Sequence, residues 1–235
     1  MIIALDDQSP DEVLNIVASG ENLRVSFKVI PEMYDVISGL KTEEVIGHPL
    51  IKLFPEHMLP WQWLMKRILD FFLAVLGLAV LLPLFLVVAL VQMLAGIRPI
   101  FAIDNRVGRN GKIFGLVEFN RGEKDNKVGQ ILVSSRIYKL PQLLNVIMGS
   151  LSLVGPRAEP KDMVERLRSR IRFYNRRFLI RPGMTGWAQL KVENIVTDDM
   201  REEDFGQELF YLENMSLVFD IRIIIRAIIK LIFRR

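Results

Sequence analysis

Arginine is concentrated between residues 161 and 178, in a segment whose side chains could bind phosphate. Apolar residues recur there at the spacing of one helical face, which predicts a helix from Lys161 to Phe178. Guanidinium groups hold phosphate through paired hydrogen bonds, so the other faces are typical of a phosphate or lipid-headgroup surface. We expect no nucleic-acid partner, because apolar segments accompany this charge. The arginines are Arg166, Arg168, Arg170, Arg172, Arg176 and Arg177.

Composition excludes several other chemistries. The 235 residues include no cysteine, so thiol nucleophiles, disulfides and zinc–thiolate sites are ruled out. His48 and His57 have no acidic partner at ligand spacing, which favours packing or surface roles over metal binding. The acidic run at residues 198–204 is typical of a solvated helix start, and we assign no metal to it.

An apolar segment is the most prominent element that could position these side chains. No charged residue occurs from Phe71 to Ile97, in a chain that is 51% apolar overall. A straight helix of that length measures about 40 Å, more than the roughly 30 Å hydrocarbon core of a bilayer. Pro83 lies near its middle, where the missing N–H and the ring favour a kink. The sequence therefore predicts a membrane helix over residues 67–97.

The flanks of this segment favour a re-entrant helix over a simple span. Lys66 and Arg67 precede the segment, and further cations follow it from Arg98 onward. Positive charge is typical of the cytoplasmic side, and here it occurs at both ends. Each arm beside Pro83 is also too short, at about 18 Å, to cross the membrane. We therefore expect both ends of the helix at the cytoplasmic face.

The end of the chain predicts a second membrane element. From Ser216 to Arg235 a cation occurs at every fourth position and most other residues are apolar, which gives a helix with a narrow basic stripe. Such a helix lies in the interface with its cations near anionic headgroups. A core helix with one wet face is the alternative. The cations are Arg222, Arg226, Lys230 and Arg234.

Residues 1–57 form a segment that we interpret as partly Rossmann-like. Alternating apolar residues from Leu23 to Val29 predict a half-buried strand, with Ile2 to Leu5 as its neighbour. A helix is expected between the two strands, and another from Pro31. Because the segment has no glycine-rich nucleotide motif, we expect a remnant or a docking piece and not a working nucleotide site.

Five short motifs follow one another after residue 60. They are Lys66-Arg67 with Asp70, Asn105-Arg106-Val107-Gly108, Leu140-Pro141-Gln142, Ser152-Leu153-Val154-Gly155-Pro156-Arg157 and Arg181-Pro182-Gly183-Met184-Thr185-Gly186-Trp187-Ala188-Gln189. In this order they resemble one family, the bacterial sugar transferases, which are monotopic polyprenyl-phosphate phosphoglycosyl transferases. The resemblance covers residues 60–235, and residues 1–57 resemble the tail of the domain that precedes this region in larger members.

The resemblance implies a fold, a reaction and a location. The fold is α+β, a monotopic membrane protein with a Pro-kinked re-entrant helix and interfacial amphipathic helices. The reaction moves sugar-1-phosphate from a UDP-sugar to undecaprenyl (polyprenyl) phosphate with Mg²⁺ as cofactor, and initiates an exopolysaccharide, O-antigen or capsule glycan. The location is the cytoplasmic face of the bacterial inner membrane. A homo- or hetero-oligomer is left open.

The sequence departs from the family at the pair that carries the chemistry. In the family, an Asp-Glu pair directly before Leu-Pro-Gln provides the nucleophile and assists the metal or proton chemistry. Here Tyr138 and Lys139 occupy those positions. A phenol is a weak nucleophile unless an adjacent ammonium lowers its pKa, and Mg²⁺ needs oxygen ligands where Lys139 brings positive charge. Glu118 reverses the charge of a second family position, which predicts a salt bridge to Lys139.

Two hypotheses therefore remain open from the sequence. The chain is a transferase with an altered site, or a catalytically inactive relative that acts as a membrane-surface binding or partner protein. The resemblance assigns substrate or phosphate binding to six residues, with a role as structural framework as the alternative. They are Arg106, Gln142, Arg157, Arg181, Thr185 and Gln189.

Overall fold

The computed structural model describes residues 58–123, 125–191 and 198–233, together with the backbone of residues 2–3, 28–29, 42–45 and 48–52. In this part of the chain the fold is α+β, built from one long apolar helix, shorter helices and small sheets. The α+β class predicted from the sequence is therefore confirmed.

Four short strands precede residue 58 and form one sheet in the order β1-β2-β4-β3. They are β1 (Ile2–Ile3), β2 (Lys28–Val29), β3 (Thr42–Val45) and β4 (His48–Lys52). β1 and β2 are parallel neighbours, as predicted, whereas β4 runs antiparallel to β2 and β3. Parallel neighbours need a crossover connection. The helix predicted for that crossover, and the one predicted from Pro31, lie outside the described residues.

The apolar segment forms a single helix, α1 (Pro60–Leu94), which continues through Pro83. Pro60 occupies its first turn, where the missing N–H costs no hydrogen bond. The helix is about 52 Å long. Among the described residues it alone is long and apolar enough to cross a membrane, judged by length and composition. Hydropathy predicted a helix over residues 67–97. The observed helix begins seven residues earlier and ends three residues earlier.

A β-hairpin and two short helices follow α1. β5 (Phe101–Val107) pairs antiparallel with β6 (Ile113–Phe119), and Asn110 in the connecting turn has a left-handed φ of 57°. Next come α2 (Lys127–Ser134), a 3-10 turn at Ile137–Lys139 and α3 (Gln142–Met148). The side chain of Asn126 accepts hydrogen bonds from the first backbone amides of α2, which explains where that helix begins.

Two parallel strands form the centre of the domain, β7 (Ser152–Val154) and β8 (Gly183–Thr185). The backbones come very close beyond β7, where a Cβ added to Gly183 would lie 2.1 Å from the nitrogen of Gly155. Only glycine permits this approach. It brings the segment that carries Arg157 beside the start of β8.

The predicted arginine-rich helix is shorter than expected. α4 spans Lys161–Arg170, and a 3-10 segment at Tyr174–Leu179 follows it. The prediction of one helix to Phe178 is wrong because Phe173 adopts a left-handed φ of 61°, which an α-helix does not accommodate. Helical periodicity predicted Tyr174 and Phe178 on the apolar face of one continuous helix. After the turn at Phe173, both rings pack in the core.

The chain ends in three helices, α5 (Trp187–Lys191), α6 (Asp198–Glu213) and α7 (Leu217–Ile232). The C-terminal helix was predicted, and Ser216 caps it by accepting a hydrogen bond from the amide of Phe219 at 3.1 Å. Its Ile223 is fully buried in a core cluster with Val154 and Tyr211. One side of α7 therefore packs on the domain, while several of its isoleucines remain exposed.

Candidate functional site

Lys139 lies in a cluster of positive charge. It ends the 3-10 turn that packs on β6, and Arg136 enters this turn with a left-handed φ of 59°. Burial and the charges of Arg157, Arg136 and Arg106 lower the pKa of Lys139 to about 8, although the charge of Glu118 opposes this change. Among the described residues, no carboxylate oxygen lies within 4.0 Å of its ammonium. The site is therefore suited to an anion.

Tyr138 is not activated by its cationic neighbours. The Arg121 guanidinium lies 5.1 Å from the centre of its ring, and the Lys139 ammonium lies 5.8 Å from it. Burial and the charge of Glu118 nevertheless raise the pKa of the Tyr138 phenol above its ordinary value. This differs from the expectation that the adjacent ammonium would lower the pKa. The phenol is protonated at neutral pH and is a weak nucleophile there.

The predicted salt bridge between Glu118 and Lys139 is wrong. The Oε1 atom of Glu118 accepts a hydrogen bond from Gln142 at 2.7 Å, and its Oε2 atom lies 3.9 Å from the guanidinium of Arg121. Both Glu118 and Gln142 are buried, so this bond joins the end of β6 to the start of α3. The structure therefore gives Gln142 a role in joining two elements.

Arg157 is held by a buried ion pair that the sequence analysis did not identify. Arg177 donates to Glu208 at 2.9 Å and to the carbonyl oxygen of Arg157 at 2.7 Å. The same Glu208 oxygen accepts from the backbone amide of Arg157 at 2.7 Å. Arg177 is thus a buried residue and does not belong to the arginine-rich surface. The arginine spacing drew attention to Arg177, but no local signal pairs it with Glu208.

The side chain of Arg157 lies between two acidic groups and keeps part of its surface exposed. Its Nε atom is 3.8 Å from Glu159 and 3.7 Å from Asp204, and it makes no hydrogen bond to any described residue. Arg106, on β5, donates to the carbonyl oxygen of Ala158 at 3.3 Å. Both arginines lie close enough to Lys139 for their charges to lower its pKa. Two of the six predicted binding residues, Arg106 and Arg157, are therefore near Lys139.

Arg181 and Thr185 occupy a different part of the domain. Arg181 donates to the carbonyl oxygen of Gly149 at 2.9 Å and lines a small cavity with Arg67, Asp70 and other residues near the start of α1. Burial and the charges of Arg67 and Arg109 lower the pKa of Arg181. The carbonyl oxygen of Thr185 accepts from the amide of Gly155 at 3.0 Å. These contacts hold the framework around β8.

The remaining predicted residue, Gln189, is half-buried on α5. Its amide nitrogen lies 3.8 Å from the position that a Cβ on Gly186 would take. The structure therefore places Gln189 beside the turn that ends β8, near Thr185. Its assignment to substrate binding stays a prediction.

The basic residues at the start of α1, Lys66 and Arg67, form hydrogen bonds with other parts of the domain. Lys66 is buried, and its ammonium lies 2.6 Å from Asp220 and 3.1 Å from the carbonyl oxygen of Val154. Arg67 donates to the carbonyl oxygens of Val146 at 2.7 Å and Ile147 at 2.9 Å. Their positive groups therefore attach α1 to the domain, and the position of both residues at the membrane flank stays a prediction.

The basic stripe of α7 is divided between the domain and the exterior. The guanidinium of Arg226 lies 5.6 Å from the ring centre of Trp187, and Lys230 donates to the carbonyl oxygen of Leu190 at 2.9 Å. Arg222 and Arg226 are both exposed, whereas Lys230 is half-buried. Arg226 and Lys230 thus also contact α5, and the binding of lipid headgroups by the stripe stays a prediction.

The residues present do not fit Mg²⁺ in the manner implied by the family. The part of the chain that the structure describes contains no group of three or more histidine, aspartate or glutamate side chains that could hold a metal ion. The buried carboxylates Glu159, Asp204 and Glu208 lie beside arginines. The resemblance assigns the family's acidic pair to Tyr138 and Lys139, whose protonated phenol and ammonium do not suit a hard divalent cation.

Comparisons with known proteins agree on one family. Residues 61–234 match the family described as bacterial sugar transferase. The chain is 28% identical over 85% of its length to the UDP-N-acetylgalactosamine-undecaprenyl-phosphate N-acetylgalactosaminephosphotransferase of Aeromonas hydrophila. It is 29% identical over 87% of its length to the UDP-glucose:undecaprenyl-phosphate glucose-1-phosphate transferase of Escherichia coli K12. The matches cover 50% and 48% of these relatives, so the chain spans about half their length.

A shorter relative matches over most of its own length. The exopolysaccharide production protein PSS of Rhizobium leguminosarum is 31% identical over 71% of this chain, and the match covers 94% of that protein. The match to this relative therefore includes almost all of its chain, whereas the matches to the larger relatives include about half of theirs.

Proposed function

Because the chain belongs to the bacterial sugar transferase family, we propose that it binds polyprenyl phosphate and a UDP-sugar at the cytoplasmic face of a bacterial inner membrane. Several relatives are named for transfer between UDP-sugars and undecaprenyl phosphate. We further propose that this chain does not use the family's carboxylate route. The observation that carries this proposal is the pair Tyr138 and Lys139, which contains no carboxylate and lies among arginines.

Phosphate binding is supported by the charges that converge on Lys139. The charges of Arg106 and Arg157 both act on Lys139. The Arg157 side chain is 30% exposed, so its guanidinium can reach a phosphate oxygen. The buried pair of Arg177 and Glu208 fixes the backbone of Arg157, so the binding group is already in position.

A membrane location is supported by two helices with exposed apolar surfaces. Leu76 and Val80 on α1, and Ile225 and Ile228 on α7, are all exposed. Contiguous apolar surface of this kind is unusual on a protein surrounded by water. We propose that α7 lies in the interface and that α1 is re-entrant, with a kink at Pro83.

Single cysteines test this topology, because the chain has none of its own. Leu59→Cys and Ala95→Cys flank α1, and both positions are exposed. In sealed inside-out vesicles, a membrane-impermeant maleimide should label both cysteines for a re-entrant helix. Labelling of only one would instead show that α1 spans the bilayer.

A second candidate function is sugar-phosphate transfer by an altered site. Tyr138 occupies the position of the family's nucleophile, and two cations lie over its ring. Its raised pKa argues against this role at neutral pH. If the phenol did act, it would lose its proton to solvent, and its oxygen would attack the phosphorus that carries the sugar. The P–O bond to UMP would break, and undecaprenyl phosphate would then displace the tyrosine oxygen from the phosphosugar.

The experiment that separates the two functions measures UMP release and lipid-linked sugar. The purified protein is supplied with undecaprenyl phosphate, Mg²⁺ and a panel of UDP-sugars. We expect no turnover by the wild type and by Tyr138→Phe, and turnover by the double variant Tyr138→Asp/Lys139→Glu. Wild-type turnover that is lost in Tyr138→Phe would contradict the proposal and establish the altered transferase. Direct binding of UDP-glucose by the wild type tests the binding half independently.

A further inference from the structure

The ammonium of Lys139 lacks a counter-charge at close range. The residue is half-buried, and no carboxylate oxygen of the described residues lies within 4.0 Å of it. The Nζ atom of Lys139 lies 5.8 Å from the centre of the Tyr138 ring. Partial burial of an unpaired charge costs free energy, so an arrangement like this is stabilised when an anion arrives.

The neighbouring groups do not neutralise this charge. Glu118, the acidic residue whose charge acts on Lys139, already accepts from Gln142 at 2.7 Å. The other charges that act on Lys139 are positive, from Arg157, Arg136 and Arg106. Acidic groups do lie beside two of these arginines. They are Asp104 beside Arg106, and Glu159 and Asp204 beside Arg157.

We propose that Lys139, together with Arg136 and Arg157, binds the diphosphate of a UDP-sugar directly, so that this chain binds the nucleotide without a divalent cation. The inference rests on the proposed function and deepens it. In the family, Mg²⁺ would neutralise the diphosphate and carboxylates would hold the metal. Here the carboxylates are replaced, and an ammonium supplies positive charge at the same position. Guanidinium forks and an ammonium satisfy diphosphate oxygens without further ligands.

The test is the affinity for UDP-glucose, measured by isothermal titration calorimetry in detergent, once with EDTA and once with excess MgCl₂. We expect equal affinity in the two buffers. Lys139→Met should weaken binding about 10- to 100-fold, the range of a lost hydrogen bond to a charged group. Lys139→Arg should retain most of the affinity because it keeps the charge.

Lys139→Glu makes the test sharper, since it restores the acidic residue of the family. In EDTA this variant should bind more weakly than Lys139→Met, and MgCl₂ should recover part of its affinity. Lys161→Met is the matched control. Lys161 is an exposed lysine whose ammonium lies 3.6 Å from Glu165 on the same helix, and its loss should leave binding unchanged.

Three results would overturn the inference in distinguishable ways. Wild-type binding of UDP-glucose that requires MgCl₂ would overturn it and leave the proposed function intact. Absence of binding in both buffers would overturn the proposed function as well. If Lys139→Met weakened binding of undecaprenyl phosphate in nanodiscs but not of UDP-glucose, Lys139 would belong to the lipid phosphate. A thermal melting curve for each variant checks that the domain is folded.

Discussion

The ammonium of Lys66 lies 2.6 Å from the carboxylate of Asp220, and this buried pair joins the first helix of the domain to the last. The hydroxyl of Tyr211 donates to the other oxygen of Asp220 at 2.7 Å. One turn further along α1, Asp70 accepts from the hydroxyl of Ser152 at 2.6 Å. A row of polar contacts therefore attaches the polar start of α1 to α7 and β7, whereas its apolar remainder is largely exposed.

Loss of Lys66 should strongly destabilise the domain. In Lys66→Met the carboxylate of Asp220 stays buried without its cation, which costs about 3–5 kcal/mol of unfolding free energy. The measurement is thermal or denaturant unfolding in detergent. Lys161→Met, which removes an exposed ion pair, should change stability by less than about 1 kcal/mol. Equal losses of unfolding free energy in the two variants would show that the buried pair stabilises the domain no more than the exposed pair.

Asn145 should be difficult to replace because its side chain completes the edge of β6. Its Oδ1 atom accepts from the amide of Val117 at 2.8 Å, and its Nδ2 atom donates to the carbonyl of Gly115 at 2.7 Å. Asn145→Ala leaves both backbone groups without this partner, so we expect a loss of about 2–4 kcal/mol in equilibrium unfolding. Asn214→Ala removes an exposed amide and should cost less than about 0.5 kcal/mol.

Two glycines should respond in opposite directions to alanine. In Gly183→Ala the new Cβ would lie 2.1 Å from the nitrogen of Gly155 and 2.3 Å from the oxygen of Thr185. Because both atoms are backbone, the strands must separate, and we expect a loss above about 4 kcal/mol or failure to fold. Gly206 lies within α6, and a Cβ there would meet no described atom within 4 Å, so Gly206→Ala should gain about 0.5–1 kcal/mol. Melting temperatures of the two variants test this contrast.

Glu208 should make stability depend on pH between about 4.5 and 7. Burial raises the pKa of Glu208 to about 7, even though Arg177 lies beside it. The folded state then binds this proton more tightly than the unfolded state. The resulting gain in unfolding free energy is fully present below the pKa of Glu208 in the unfolded chain, and it is lost as the pH rises through its pKa in the folded chain. Unfolding free energy should therefore decrease from pH 5 to pH 7.5, all in the same buffer series.

Variants at two acidic positions of α6 test the assignment. Glu208→Gln lowers stability overall, because Arg177 loses its buried partner, but it should flatten this decrease with pH. Glu203 is an exposed carboxylate on the same helix, and Glu203→Gln should retain the wild-type dependence. A slope that persists in Glu208→Gln would assign the effect to another group.

Features that depend on neighbouring residues were predictable from the sequence. The C-terminal helix and the apolar stretch of α1 arise from periodicity and hydropathy, which act over a few turns. The order of the motifs also identified the family, which the match over residues 61–234 confirms. The sequence likewise excluded thiol chemistry outright, since no arrangement of the chain supplies a missing residue type.

The partner of each charged side chain was decided by tertiary structure. Lys66 and Asp220 are separated by 154 positions, and Arg177 and Glu208 by 31, so no local pattern relates them. A hydropathy scale treats a lysine beside an apolar run as a membrane flank, although burial against a distant carboxylate gives it another role. Likewise, Glu118 accepts a hydrogen bond from Gln142, and no salt bridge joins its described carboxylate to Lys139. Tertiary packing determines which distant groups meet. It therefore also leaves the ammonium of Lys139 without a carboxylate of the described residues within 4.0 Å.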